Sequence, residues 1–204
     1  MQQAQESLGY IIDKIPNLDR CNALDIFARE GDWQSYLLVP KVNSLEAWEI
    51  DPAYIPNLKA NLPNAVVHCR DSIQFIKETT NYKRFELLII DNGLNCYGED
   101  REHCEHFDVL PHIANIVADE CFVIINAARK PFNYDQFPDW QSRRNAFYKV
   151  TDSSELSLEF IEDFYKKYFS GMGYTVAELY SNCREYKDGV DYLYHLGFQL
   201  TKKK

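Results

Sequence analysis

Short apolar runs recur along the chain, and each has the length of one buried strand. They are rich in β-branched and aromatic residues, and the segments between them carry helix-like spacing or helix-start signals. Because strands alternate with helices, the pattern predicts a parallel sheet with helices on both faces. The runs are residues 23–28, 45–50, 65–69, 86–91 and 121–127.

Helix signals mark the segments between these runs. Asp51 and Pro52 provide an N-cap and a first-turn proline. Asp71 with Ser72 opens a second helix in the same way. Residues 107–117 have apolar side chains at helical spacing, which predicts an amphipathic helix. Its apolar stripe consists of Phe107, Leu110, Ile113, Ala114 and Val117.

The last part of the chain follows another pattern. An aromatic-rich helical segment covers residues 160–169 and ends at Gly171. Two strand-like runs follow, residues 175–181 and 192–200, and the polar turn between them indicates an antiparallel hairpin. We therefore predict an α/β fold. Its Rossmann-like sheet has seven strands, mostly parallel, with an antiparallel C-terminal hairpin and helices on both faces.

Composition and charge are those of an ordinary globular protein. The chain has 204 residues, of which 46% are hydrophobic, so we expect one domain over residues 1–204, with an N-terminal helix in residues 1–20. The net charge of −9 argues against long nucleic acid as a partner. The sequence shows no signal-peptide pattern and no apolar run of membrane-spanning length, which predicts a cytoplasmic protein without a membrane partner. It does not indicate an oligomeric state.

The six cysteines are scattered and include no Cys-x-x-Cys pair, so we expect reduced thiols. One cluster contains Cys96, His103, Cys104 and His106, whose side chains are of the types that bind zinc. Their spacing matches no common zinc site. We predict no metal there.

Acidic residues near the ends of the first two runs form a nucleoside-binding arrangement. Asp25 lies in the first run, which leads through a turn to Gly31. Glu49 lies near the end of the second run, at about the distance along the chain where a ribose-binding acid is expected. The alternative for Glu49 is an exposed carboxylate at a strand end. The combination predicts a nucleoside cofactor.

These residues resemble the motifs of class I S-adenosylmethionine-dependent methyltransferases. Residues 25–31 resemble the family's first motif, Asp71 with Ser72 its adenine-contacting motif, and residues 89–92 its fourth motif. The C-terminal hairpin resembles the family's last two strands. The resemblance implies methyl transfer with S-adenosylmethionine as the cofactor. The cofactor-binding residues that it implies are Asp25, Phe27, Ala28, Arg29, Glu30, Gly31, Glu49, Ile50, Asp71, Ser72 and Asp91.

One departure from the family pattern concerns the glycine loop. Arg29 replaces the family's middle glycine, and Phe27 stands where some members have an earlier one. Glycine lets the backbone turn sharply and approach the ligand, so the Arg29 side chain must point outward or occupy cofactor space. The alternative function is therefore a catalytically degenerate, methyltransferase-like binding or scaffold protein. Another nucleotide-using enzyme on the same fold is a third option.

Catalytic candidates follow from the chemistry that the resemblance implies. Methyl transfer depends mainly on alignment, and proton removal is needed only for some acceptors. Asp91 and Asn92 follow the fourth run, at the sheet edge where ligands bind, although Asp-Asn-Gly is also a common turn. His106 is a further candidate base. Asn126 could join Asp91 on a metal ion, but one carboxylate with one amide is a poor divalent site, so we predict no metal.

Residues 129–150 form a long connection that mixes aromatic side chains with arginines. Such a segment is typical of a lid whose arginines suit an acidic group on a small substrate. The alternative is a surface helix whose aromatic side chains pack on the core while its arginines remain solvated. We predict a methyltransferase for a small or modest-sized polar acceptor. Its candidate substrate-binding residues are Tyr97, Tyr134, Trp140, Arg143 and Arg144.

Overall fold

A computed structural model describes residues 2–92, 96–98, 100–131, 134–185 and 191–204. Its main element is a seven-stranded sheet, and a separate ribbon has two short strands. The sheet strands are β1 (Asn22–Asp25), β2 (Ser44–Glu49), β3 (Val66–Cys69), β4 (Phe85–Ile90), β7 (Val117–Ala128), β8 (Tyr174–Glu185) and β9 (Asp191–Lys202), and the ribbon strands are β5 (Cys96–Tyr97) and β6 (His103–Cys104).

The order of strands across the sheet is β3-β2-β1-β4-β7-β9-β8. The first five pair in parallel, and β9 lies antiparallel between β7 and β8. This arrangement confirms the predicted fold class, including the C-terminal hairpin. The predicted hairpin turn falls partly on residues 186–190, which lie outside the described residues.

Helices cover both faces of the sheet, and each face has its own apolar core. The helices are α1 (Gln2–Ile12), α2 (Gln34–Leu38), α3 (Ile55–Asn61), α4 (Ser72–Glu78), α5 (Pro138–Tyr148) and α6 (Leu158–Gly171). Alternate residues of β4 belong to different cores: Leu87 and Ile89 pack towards α1, α2 and α3, whereas Leu88 and Ile90 pack towards α4, α5 and α6. None of the described helices has the length and hydrophobicity needed to cross a bilayer.

Two predicted helix segments were wrong. The helix expected at Asp51 begins only at Ile55, because the Asp51 carboxylate accepts the Ala53 amide at 2.8 Å and closes a turn first. Residues 107–117 do not form an amphipathic α-helix. They contain a short 3₁₀ helix, Leu110–Asn115, with a proline in its first turn, and β7 already starts at Val117. Proline cannot donate a backbone hydrogen bond, so a longer α-helix cannot run through this position.

Candidate active site

A cavity of about 520 Å³ opens at the carboxyl ends of β1 and β4. The loop after β1 contributes Phe27, Arg29 and Trp33 to its wall, and Asp91 with Asn126 lies at the ends of β4 and β7. Ligands of open α/β sheets bind at this edge. Its lining further includes Ala28, Asp32, Gln34, Asn92, Arg184 and Leu193.

Arg29 has a backbone conformation that glycine adopts more easily than other residues. Its φ is +48°, in the left-handed region that favours glycine. The side chain is exposed, and its guanidinium carbon lies 5.4 Å from the centre of the Tyr54 ring. Arg29 therefore contributes to the cavity wall while its charged end lies against Tyr54, which can stabilise it by a cation–π interaction.

Gly31 is the position in this loop that requires glycine. Its φ is +69°, and a Cβ atom there would lie 2.6 Å from Leu58 Cδ1 and 2.7 Å from Leu62 Cδ1. The loop thus packs directly on α3. Glu30 also faces α3, because its carboxylate accepts from Asn57 Nδ2 at 3.0 Å.

Asp25 is buried and holds the loop after β1. Its Oδ1 accepts the Phe27 amide at 3.2 Å, and its Oδ2 accepts from the Ser35 hydroxyl. Burial raises the pKa of Asp25 to about 6, although the hydrogen bond from Ser35 opposes this shift; the charge of Glu49 adds to it. Asp25 therefore supports the cavity from behind, instead of lining it.

Glu49 joins the ends of β1 and β2 through backbone hydrogen bonds. Its Oε2 accepts the Arg29 amide at 2.8 Å, and its Oε1 accepts the Asp51 amide at 2.8 Å. Its neighbour Ile50 is 62% exposed and presents an apolar surface at the same end of β2. The carboxylate is buried, so the exposed strand-end alternative for Glu49 was wrong.

Asp71 and Ser72 form the predicted start of α4. The Asp71 carboxylate accepts the Gln74 amide at 3.0 Å and caps the helix. Ser72 is buried and donates from Oγ to the Ile26 carbonyl at 2.6 Å, which fixes α4 against the end of β1. Neither side chain is part of the cavity wall described above.

Asp91 lies among side chains from several strands at the cavity. Asn126 Nδ2 donates to Asp91 Oδ1. Burial of the carboxyl group raises the pKa of Asp91 to about 7, and the nearby charge of Asp25 adds to the rise, whereas the Arg184 charge and a hydrogen bond from Trp33 oppose it. The site therefore holds a carboxyl group that exchanges its proton near neutral pH.

Asn92 and Tyr97 are held beside the cavity by one backbone carbonyl. Asn92 Nδ2 donates to the Glu105 carbonyl at 3.2 Å, and the Tyr97 hydroxyl donates to the same oxygen at 2.9 Å. The Tyr97 ring contacts that of Phe27 edge to face, with 6.0 Å between ring centres. Asn92 lines the cavity, and Tyr97 supports its wall through Phe27.

The predicted catalytic role of His106 was wrong, because the side chain is fully buried away from the cavity. Its Nε2 is hydrogen-bonded to the Tyr165 hydroxyl, and its ring contacts Phe107 and Phe147. Burial lowers the pKa of His106 to about 3. It is neutral at physiological pH and belongs to the packing between the sheet and α6.

The lid interpretation was wrong for Trp140 and Arg144, which are buried side chains on the inner face of α5. Both donate to Glu105 Oε1, Trp140 Nε1 at 2.8 Å and Arg144 Nη1 at 2.5 Å. Arg144 Nη2 also donates to the Ala128 carbonyl at 2.7 Å. These contacts, which we call the Glu105 cluster, fix α5 to the end of β7 and leave both side chains inaccessible to a substrate.

Tyr134 and Arg143 also lie apart from the cavity wall. The Tyr134 hydroxyl is 3.1 Å from Ser153 Oγ and 3.2 Å from the Ser153 carbonyl oxygen, and its ring packs on Trp140. Arg143 is half-buried on α5. The alternative of a helix with aromatic side chains on the core describes α5 better than a lid does, but its expectation of solvated arginines was wrong for Arg144, which is buried.

Trp33 and Arg184 were not predicted from the sequence, although both line the cavity. The Arg184 guanidinium carbon lies 4.8 Å from the centre of the Trp33 ring. Because β8 runs parallel to β7 across β9, the carboxyl end of β8 reaches the same edge of the sheet. Strand direction in the predicted hairpin was the signal that could have identified Arg184.

No protein-family model matches the sequence, and a search of curated proteins gave no match. Solved structures do match. The N-methyltransferase NodS from Bradyrhizobium japonicum superposes with a TM-score of 0.62 at 13% identity, covering 98% of each chain. TYW2 from M. jannaschii, solved in complex with AdoMet, gives 0.58 at 13% identity over 99% of this chain and 77% of that one.

A third match is the ribosomal protein L11 methylase from Lactobacillus delbrueckii subsp. bulgaricus, with a TM-score of 0.55 at 10% identity, covering 100% of this chain and 80% of that one. The fold is that of the class I methyltransferases. Within this methyltransferase fold, the cavity lies between the loop after β1 and the carboxyl end of β4. The three matched proteins differ in what their names say they modify, so the fold leaves the acceptor open.

Proposed function

We propose that the protein is an S-adenosylmethionine-dependent methyltransferase for a small or modest-sized polar acceptor. The observation that carries the proposal is the cavity at the ends of β1 and β4. Its loop keeps a glycine-like turn at Arg29, and Asp91 provides a carboxyl group on its wall. Position, loop conformation and a titratable group thus coincide at the edge where the methyltransferase fold binds ligands.

The residues at the end of β2 fit the nucleoside part of this cofactor. Each oxygen of Glu49 accepts one backbone amide, and a carboxylate oxygen can accept a further hydrogen bond from a ribose hydroxyl. Ile50 presents the exposed apolar surface that an adenine ring needs. Asp71, at the start of α4, is the candidate partner of the adenine amino group. When bound, the cofactor supplies an electrophilic methyl group.

The chain's own contribution to the reaction centres on Asp91. With a pKa of about 7, its carboxyl group can accept a proton from an acceptor amine or hydroxyl at neutral pH. Asn126 holds the carboxyl group by donating to Oδ1, and Asn92 lies next to it on the cavity wall. We assign Asp91 to proton removal and Asn92 to acceptor orientation. Both assignments operate without a metal ion.

The acceptor side of the proposal can be tested by label transfer. The chain is incubated with S-adenosylmethionine that carries a labelled methyl group and with pooled small polar metabolites, and labelled products are separated and counted. We expect transfer to at least one pool, and Asp91→Asn should reduce turnover by roughly 10²–10⁴-fold because the proton acceptor is lost. Unchanged turnover in Asp91→Asn would remove Asp91 from the mechanism. Bound cofactor without transfer to any pool would contradict the proposed acceptor class, whereas absence of both binding and transfer would favour the scaffold alternative.

A further inference from the structure

Beneath Asp91, the sheet carries a buried histidine. His195 lies on β9 directly opposite Asn126 on β7, and it is 2% exposed. Directly opposed residues of an antiparallel pair project from the same face of the sheet. His195 and Asn126 therefore lie side by side on the face that packs against α1.

Ser7 on α1 contacts the His195 ring from the other side. The Ser7 Oγ atom lies 2.9 Å from His195 Nδ1, and Ser7 is also buried. Gly197 explains this close approach, because a Cβ atom there would lie 2.5 Å from Ile11 Cγ2. Ile11 follows Ser7 by about one helical turn, so the glycine lets this part of α1 come close to β9.

Two buried polar atoms on His195 and Asn126 have complementary hydrogen-bonding roles. Within the described part of the chain, His195 Nε2 and Asn126 Oδ1 are both buried and have no hydrogen-bond partner. They belong to residues that border a gap of about 10 Å³, which Asp91 also lines. Because the two residues are directly opposed on neighbouring strands, a small shift of either side chain can join the two atoms by a hydrogen bond.

The direction of donation along these groups is consistent from end to end. A serine hydroxyl that donates to Nδ1 leaves the proton of a neutral histidine on Nε2. That Nε2–H group can donate towards Asn126 Oδ1. Asn126 Nδ2 in turn donates to Asp91 Oδ1. His195 and Asn126 thus each accept from one neighbour and donate to the next.

We infer that Ser7, His195 and Asn126 form a buried hydrogen-bonded chain that positions the Asp91 carboxyl group, with His195 as a positioning residue for the reaction. This inference rests on the proposed function only for the role of Asp91 in catalysis. The chain fixes the orientation of the Asn126 amide, and the amide then presents its N–H to Asp91. It favours the ionised form of the carboxyl group, because a hydrogen bond to a carboxylate stabilises its charge.

The other groups that act on Asp91 come from three elements. Asp25 on β1 disfavours the ionised carboxylate, whereas Arg184 on β8 and the Trp33 side chain favour it. His195 itself stays neutral, since burial lowers its pKa to about 3 and the Arg184 charge adds to this effect. The chain therefore keeps one donor direction across the pH range in which Asp91 titrates.

The tautomer of His195 tests the chain in the unmodified protein. Long-range ¹H–¹⁵N NMR of the ¹⁵N-labelled protein at pH 7 distinguishes the two ring nitrogens, and the His195→Gln spectrum identifies the His195 signals. We expect a neutral ring with its proton on Nε2. A proton on Nδ1, or a charged ring, would overturn the inference.

Two substitutions at His195 separate positioning from packing. His195→Gln keeps an N–H group near the Nε2 position, whereas His195→Leu fills similar space without one. We expect the Asp91 pKa, followed by ¹³C NMR of its carboxyl group, to match the unmodified protein in His195→Gln. In His195→Leu it should rise, with proton affinity increasing roughly three- to tenfold. Equal Asp91 pKa values in the two variants would contradict the hydrogen-bonded chain. If His195→Leu fails to fold, the tautomer measurement still decides.

Failure of this inference can be distinguished from failure of the proposed function. If the protein binds S-adenosylhomocysteine but His195 carries its proton on Nδ1, the hydrogen-bonded chain is refuted and the methyltransferase proposal stays intact. If the tautomer and the Asp91 pKa shift are as expected but the protein binds no S-adenosylhomocysteine, the hydrogen-bonded chain is upheld and the catalytic role of Asp91 is refuted.

Discussion

Two regions of the molecule bury ionisable side chains, and they do so in different ways. In the Glu105 cluster, Arg144 and Glu105 are both fully buried and contact each other, so opposite charges compensate. At the cavity, Asp91 lies near Asp25, a group of the same charge behind the cavity wall, and the charge of Asp25 adds to the raised pKa of Asp91. Like charges held together at a cavity oppose folding, which makes them the better indicator of function.

The largest effect should come from breaking the compensated pair. Arg144→Ala leaves the Glu105 carboxylate buried without its partner, which is expected to lower the free energy of unfolding by about 3–5 kcal/mol. Arg143→Ala, on the adjacent half-buried residue, is the matched control and should change it by less than about 0.5 kcal/mol. Urea denaturation measures both. Similar losses of unfolding free energy in the two variants would show that the buried Arg144–Glu105 pair contributes no more than an ordinary half-buried arginine.

Two buried groups, Asp25 beside the cavity and His106 next to Glu105 in the sequence, should respond to pH in opposite directions. Since the folded-state pKa of Asp25 is raised from 3.8 to about 6, its contribution to stability is present below pH 4 and is lost as pH rises through 6. For His106 the folded-state pKa is lowered from 6.5 to about 3, so its contribution is present above pH 6.5 and is lost as pH falls.

Substitutions isolate these two contributions. The unmodified chain should lose about 2 kcal/mol of stability through Asp25 between pH 4 and 6, and Asp25→Asn should abolish this loss. It should gain about 2 kcal/mol through His106 between pH 5 and 6.5, and His106→Gln should abolish this gain. Denaturation curves at several pH values, with each variant compared to the unmodified chain, check both signs. Parallel pH profiles for a variant and the unmodified chain would contradict the assigned environment of that residue.

The smallest effect concerns Arg29. Arg29→Gly and Arg29→Ala both remove the contact with Tyr54, but only glycine adopts φ +48° without strain. We expect Arg29→Gly to be more stable than Arg29→Ala by about 1 kcal/mol in thermal or urea unfolding. Neither variant should gain affinity for S-adenosylhomocysteine. A tenfold gain in Arg29→Gly would mean that the arginine obstructs the cofactor, as the scaffold alternative requires.

The sequence predicted the fold well because strands and the hairpin leave a regular apolar pattern. The order of runs was sufficient to place Asp91 at the ligand-binding edge of the sheet. The apolar pattern was less informative for residues 107–117, which form a short 3₁₀ helix with a proline in its first turn and the start of β7 instead of the expected α-helix. Apolar spacing alone does not distinguish an α-helix from a buried 3₁₀ turn that leads into a strand.

Burial and partner choice were the features that sequence could not supply. Trp140 and Arg144 were predicted to bind substrate because residues 129–150 mix aromatic side chains with arginines. Both instead donate to Glu105, a residue more than thirty positions away in the sequence. His106 was expected near the acceptor because histidine titrates near neutral pH, whereas burial makes it neutral. Arg184 and His195 reach the site only through the antiparallel insertion of β9, so their proximity to Asp91 depends on strand register.

Calorimetric titration with S-adenosylhomocysteine tests the central claim most directly, namely that the ends of β1, β2 and β4 bind this cofactor. We predict a micromolar or lower Kd, which corresponds to a binding free energy of about −8 kcal/mol or stronger, and no comparable binding of NAD. Glu49→Ala should weaken it by about 1.5–3 kcal/mol through loss of a charged acceptor, while Glu78→Ala on the exposed surface of α4 should not. Circular dichroism checks that both variants are folded. Absence of binding at millimolar S-adenosylhomocysteine to the folded, unmodified chain would contradict the account.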